Sequence, residues 1–109
     1  MRLELIPWNG GPVNEDELRQ RLEEEGFDPF RWHDPAGTTY EPHSHSHDES
    51  LWVIDGEITF HIGDKDYRLR PGDRLMLPAG TIHTAHVGNS GATYWIGQRL
   101  PHPKPARPH

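Results

Sequence analysis

The stretch Pro42-His43-Ser44-His45-Ser46-His47-Asp48-Glu49 alternates histidine with small or acidic residues and closes on a glutamate. Read as extended chain, it puts side chains two apart on one face, so His43, His45 and Glu49 point the same way. A further histidine, His83, follows far downstream in Pro78-Ala79-Gly80-Thr81-Ile82-His83. Imidazole and carboxylate are ligands that borderline divalent metals prefer, and the chain has no cysteine to compete for them. The pattern points to a chain built around one metal ion.

Outward from this stretch the chain reads as short strands with turn punctuation. Phe30 to Trp32 and Thr38 to Tyr40 flank the turn-like Asp34-Pro35-Ala36-Gly37. Leu51 to Ile54 predicts a strand that ends in an Asp55-Gly56 hairpin turn. Glu57 to Ile62 alternates with Ile58, Phe60 and Ile62 on one face, and Gly63-Asp64-Lys65-Asp66 turns it back into Tyr67 to Arg70. After the Pro71-Gly72-Asp73 turn come Leu75 to Leu77 and, last, Ala92 to Gln98. Many short, regularly spaced strands predict an all-β sandwich or barrel.

One helix is expected before them. Asn14 stands at a capping position, Glu17 three residues later, and helix formers fill Glu15 to Glu25 up to Gly26. Val13 and Leu18 suit a hydrophobic staple, and Glu15 and Glu17 each meet an arginine four residues on, Arg19 and Arg21. Only Leu18 and Leu22 form an apolar stripe, which predicts a helix lying on a surface or against a partner. The domain reading is an arm and helix over 1–27, a barrel over 28–100, and a flexible proline-rich tail over 101–109.

Composition narrows the function. The 109 residues suffice for one modest core, yet only 32% are hydrophobic, which favours a closed architecture or a homodimer. The N-terminal segment is the element expected to cross between subunits. Net charge is −6 and no Lys/Arg block is present, which argues against nucleic acid as a partner. The absence of cysteine removes disulfides, thiol nucleophiles and iron–sulfur chemistry. Met1-Arg2-Leu3-Glu4-Leu5-Ile6-Pro7 has no apolar signal-like core, and no run is long and apolar enough to span a bilayer. A cytoplasmic protein without a membrane partner is the resulting expectation.

Two longer patterns carry a resemblance. Gly37-x5-His43-x-His45-x3-Glu49-x6-Gly56 and Gly72-x5-Pro78-x-Gly80-x2-His83, fifteen residues apart, are similar to the two motifs of the cupin superfamily, in particular its small single-domain bacterial members. One position departs: the asparagine that closes the second motif falls on Val87, with Asn89 nearby but off register. The resemblance implies a conical antiparallel jelly-roll barrel with one short N-terminal helix. It also implies a divalent transition metal (Fe, Mn, Ni, Cu or Zn) held inside by His43, His45, Glu49 and His83. Such a set leaves one or two positions of an octahedral ion open.

The remaining candidates are weighed by position. His47 shares the face by alternation, but in the resembling family a histidine here often does not ligate, so it is placed beside the ligands or at the rim. His61 faces either the cavity or solvent. His86 is expected on the surface, as are His33, His102 and His109. Tyr40, Met76, Trp52, Tyr94 and Trp95 line a pocket or fill the core; alternation from Glu49 turns Leu51 and Val53 inward and Trp52 outward, toward an interface.

The function that follows is metal-dependent chemistry on a small organic molecule. By resemblance this is a dioxygenase-like oxidation, with Glu49 both ligand and general base. Two alternatives stay open: a Lewis-acid isomerase or lyase with the same ligands, and a non-enzymatic module that binds or senses a small ligand.

Overall fold

The computed structural model describes residues 1–99. The proline-rich tail, with His102 and His109, lies outside them. Seven strands and one helix follow in the order β1 (Glu4–Ile6), α1 (Glu15–Glu24), β2 (Asp28–Asp34), β3 (Thr39–His43), β4 (Asp48–Ile62), β5 (Lys65–Leu69), β6 (Arg74–Leu77) and β7 (His83–Arg99). All pairings are antiparallel. No helix among the described residues is long and apolar enough to cross a membrane.

The long strands β4 and β7 organise the jelly roll. The first part of β4 lies between β6 (Leu51 opposite Leu75) and the end of β7 (Leu51 opposite Ile96). Its second part lies between β5 (Phe60 opposite Tyr67) and the start of β7 (Phe60 opposite Ala85). Strands β2 and β3 complete the wall on β7.

The expected hairpin at Asp55-Gly56 is not formed. β4 runs straight through it, with register shifts between Val53 and Asp55 and between Gly56 and Ile58. The sequence contains the reason. Inward residues fall on odd numbers at Leu51 and Val53 but on even numbers at Ile58 and Phe60, so the strand must slip one residue to keep its apolar side inside. β7 makes the same change, from Ala85 and Val87 to Ala92, Tyr94 and Ile96. The two irregular segments meet: Gly56 has a φ of +74°, and a Cβ there would stand 1.9 Å from the Gly91 carbonyl oxygen.

Val87, at the position where the sequence departs from the cupin pattern, is buried and pairs with Ile58, and its amide donates to the Thr38 carbonyl. Strand pairing is therefore continuous there. The sequence reading missed β1, three residues that pair with β6 of the same chain through Leu5 and Leu75. It also missed the first half of β7, residues 83–91.

α1 starts where its cap predicts, with the Asn14 side chain accepting from the Glu17 amide at 3.1 Å, and Gly26 follows its end with a φ of +87°. The apolar side of the helix is covered within the chain, as the surface reading expected. Leu18 and Leu22 are buried with Phe27 and Trp52 in a second apolar cluster, flanked by Val13, Met76 and Trp95. Trp52 does point away from the barrel core, but it is covered, with the Arg74 guanidinium 4.4 Å from its ring centre. Arg74 is nearly buried and donates to Ser50 Oγ at 2.7 Å and to both Glu25 carboxylate oxygens. Of the charge pairs expected along the helix, Glu15 instead pairs with Arg31 at 2.9 Å and accepts from Trp95 Nε1. Arg19 pairs with Glu23.

Candidate metal centre

The histidine-rich stretch is not one extended strand. β3 ends at His43, a loop carries His45 and His47, and β4 begins at Asp48 with Glu49 next. Convergence comes from the loop's anchorage. The His45 carbonyl accepts from the Gly80 amide at 2.8 Å, and Asp48 Oδ1 accepts from the Ala79 amide at 2.8 Å. Both donors belong to the second motif, between the end of β6 and the start of β7. Gly80 makes this turn with a φ of +80°. The adjacent His83 pairs with His43 across β7 and β3.

Ring orientation is set by the backbone. Nδ1 of His43 lies 2.8 Å from the Glu41 carbonyl, and Nδ1 of His83 lies 2.9 Å from the Thr81 carbonyl. A carbonyl only accepts, so both Nδ1 atoms carry the proton and both Nε2 atoms keep a lone pair for a ligand. Ring centres stand 4.3 Å apart for His43–His83, 5.0 Å for His43–His45 and 5.4 Å for His45–His83. Burial holds the imidazoles of His45 and His83 below their ordinary pKa, so the neutral form that a metal needs is favoured.

The predicted ligands come together as two overlapping triplets that share His45. His43, His45 and His83 have donor atoms within 4.8 Å of one another, and so do His45, His47 and Glu49. Glu49 is nearly buried, with Oε1 3.8 Å from His45 Nε2 and Oε2 3.1 Å from His47 Nε2. His47 is therefore the carboxylate's hydrogen-bond partner, which places it beside the expected ligand set.

His43, His45, Glu49 and His83, but not His47, sit on the wall of a cavity of about 240 Å³, smaller than the sites that take drug-sized ligands. Phe30, Leu51, Ile58, Phe60, Ala85 and Ile96 give it an apolar lining. Tyr40 lines it as expected, its ring centre 6.1 Å from that of His43. Tyr94 lines it as well. Met76 does not: it packs beside the helix on the other side of the wall. His61 is also outside, on the outer face with Asp66 and His86. His33 is exposed and hydrogen-bonds Thr93.

Two polar lining residues, Gln98 and Asp34, escaped the sequence reading. Gln98 lies opposite Glu49 in the β4–β7 register. Asp34, read as part of a turn, is the buried end of β2 and accepts from Tyr40 at 2.6 Å, Tyr94 at 2.9 Å and Trp32 Nε1 at 3.0 Å. Burial and the Asp34 carboxylate push the Tyr40 hydroxyl up to about 12 and the Tyr94 hydroxyl further in the same direction. Both tyrosines thus stay protonated donors. The only advance signal was an acid directly before a proline, which reads more readily as a turn.

Residues 30–96 match the family model of the cupin domain, well over half of the chain. The chain belongs to the cupin family. A protein of unknown function from Rhizobium leguminosarum superposes with a TM-score of 0.64 at 17% identity, over 70% of this chain and 71% of that one. Among curated relatives, the acireductone dioxygenase of Yarrowia lipolytica is 43% identical over 49 residues, 40% of this chain and 28% of that enzyme. The quercetin 2,3-dioxygenase of Bacillus subtilis is 31% identical over 68 residues, 62% of this cupin and 20% of that enzyme. The match thus spans less than a third of either curated relative.

Proposed function

We propose that this cupin binds one divalent transition metal through His43, His45, Glu49 and His83 and oxidises a small organic molecule with O2. The observation that carries the reading is the pair of backbone-fixed imidazoles, His43 and His83. Their free Nε2 atoms meet His45 at the wall of an apolar-lined cavity. Two curated relatives are named as dioxygenases, which supports oxidation over other metal chemistry.

A bound redox-active ion would supply electron transfer and Lewis acidity. The chain supplies the rest. Glu49 is the carboxylate placed to take a proton from a substrate hydroxyl, and His47 Nε2–H lies at Oε2 to stabilise its charge. Phe60, with its ring 5.8 Å from that of His83, and the other apolar walls shield the cavity side of the donor cluster. Tyr40 and Tyr94 donate to Asp34, which keeps the polar end of the cavity fixed.

The test is oxygen uptake by protein loaded separately with iron, manganese, nickel or copper, across a panel of phenols, diketones and thiols. Consumption that is lost in His45→Ala establishes the reading. No consumption with any loaded form refutes it. Turnover with zinc would move the assignment to Lewis-acid chemistry, and tight binding of a molecule recovered unchanged would make the protein a ligand-binding module. The proposal includes a homodimer, for which the short edge strand β1 offers a surface; a monomeric mass by light scattering at micromolar concentration would exclude it.

A further inference from the structure

The outer face of the barrel carries a second group of metal-ligating side chains, separate from the cavity. In the registers of β4 with β5 and β7, His61 stands opposite Asp66 on one side and Thr84 on the other, while His86 stands opposite Thr59. Ile58 and Phe60 point inward, as do Ala85 and Val87, so His61 and His86 share the outward face as diagonal neighbours. Their rings stack at 5.1 Å with an interplanar angle of 23°. Nε2 of His61 lies 3.0 Å from Nδ1 of His86, and Nδ1 of His61 lies 2.6 Å from Asp66 Oδ1.

We propose that His61 and His86 bind a copper(II) or nickel(II) ion through Nε2 and Nδ1 respectively, with Asp66 orienting His61. Asp66 accepts the Nδ1 proton of His61 and so leaves Nε2 as the lone-pair atom, the arrangement in which a carboxylate prepares a histidine ligand. At present Nδ1–H of His86 donates to that lone pair. Moving this proton to the exposed Nε2 of His86 frees both nitrogens with no net proton released. Two bonds of about 2.0 Å at a right angle place their nitrogens about 2.8–2.9 Å apart, whereas tetrahedral bonds require about 3.3 Å. The observed 3.0 Å is set by this hydrogen bond and lies within the span two bonds to one ion can cover, and copper(II) stands highest in the affinity order for such imidazole donors. Solvent reaches the pair and completes the coordination.

Copper(II) chloride is the probe, added to the untagged full chain with the cavity site removed by His43→Ala and His45→Ala. One equivalent should remain bound, with an electron paramagnetic resonance spectrum showing coupling to two imidazole nitrogens. Adding His86→Ala should remove that coupling, and Asp66→Ala should weaken binding by about 10- to 100-fold. In parent protein, with the cavity intact, His61→Ala and His86→Ala should each lower the copper stoichiometry by one. Unchanged stoichiometry and spectrum in these single variants overturn the proposal. Because both residues lie on the outer face, thermal unfolding should match the parent and separate a lost site from a lost fold. The result does not depend on whether the cavity holds a metal.

Discussion

Nε2 of His47 lies 3.1 Å from Oε2 of Glu49, while Oε1 of the same carboxylate lies 3.8 Å from Nε2 of His45. A histidine that donates to a ligand's carboxylate orients it without occupying a coordination position. His47→Ala should therefore weaken metal binding by about 10- to 100-fold while leaving one cavity equivalent at saturation. Isothermal titration with excess metal distinguishes this from loss of a ligand, which would abolish the cavity equivalent.

In the metal-free protein, acid should destabilise the fold through His45 and His83. Burial lowers both pKa values in the folded state, so the unfolded chain takes up protons first as pH falls through the ordinary histidine value of 6.5. Stability is then greatest above that value and declines below it. Urea unfolding across pH 5 to 8 should show a falling midpoint on the acid side, and His83→Gln should flatten the slope. A midpoint independent of pH in the parent would contradict this assignment.

Asp34 links β2 to Tyr40 on β3 and Tyr94 on β7, the three strands of one wall. Asp34→Asn puts an amide donor against hydroxyls that themselves donate, which should cost about 1–3 kcal/mol. It should also bring tyrosine ionisation down from about 12 toward its ordinary value of 10. In the parent the raised tyrosine pKa favours the folded state only while the unfolded chain is also protonated. Stability should therefore fall as pH rises above about 10. Tyrosinate absorbance during a base titration reads the shift directly.

Gly56→Ala should be far more damaging than a typical surface change. The residue has a φ of +74°, and the new Cβ would meet backbone at Gly91. Left-handed strain alone costs of order 1–3 kcal/mol, and the clash adds to it. Gly63→Ala is the control, since it has a φ of +62° but nothing within 4 Å of the new Cβ. Equal losses of denaturation midpoint in the two variants would show that strand contact at Gly56 is unimportant.

What the chain shows about itself depends on range. Local signals read well: the Asn14 cap, the stop at Gly26, and the alternation of Ile58 and Phe60 each act over a few residues. The grouping of His43, His45, Glu49 and His83 on one wall was legible through spacing and resemblance together, although the loop fold of 44–47 replaced the extended strand expected there. Long-range features were not legible. Asp-Gly signals a turn wherever it occurs, and only Gly91, thirty-five positions on, makes Asp55-Gly56 a bend inside one strand. Likewise nothing local to Asp34 announces the two tyrosines that bury its carboxylate. The outward turn of Trp52 followed from alternation, but its cover by α1 and Arg74 did not.

The two hydrogen bonds from Gly80 and Ala79 to His45 and Asp48 join the second motif to the histidine loop through main chain and one carboxylate. The coordinating groups are thus brought into register when the strands assemble, and an arriving ion meets a receptor already shaped. Unlike a zinc finger, which collapses without its metal, this barrel should survive a strong chelator with its circular dichroism intact. It should also recharge quickly, because refilling the pocket requires no refolding. Metal exchange in such a protein is governed by access to the cavity rather than by the order of the polypeptide.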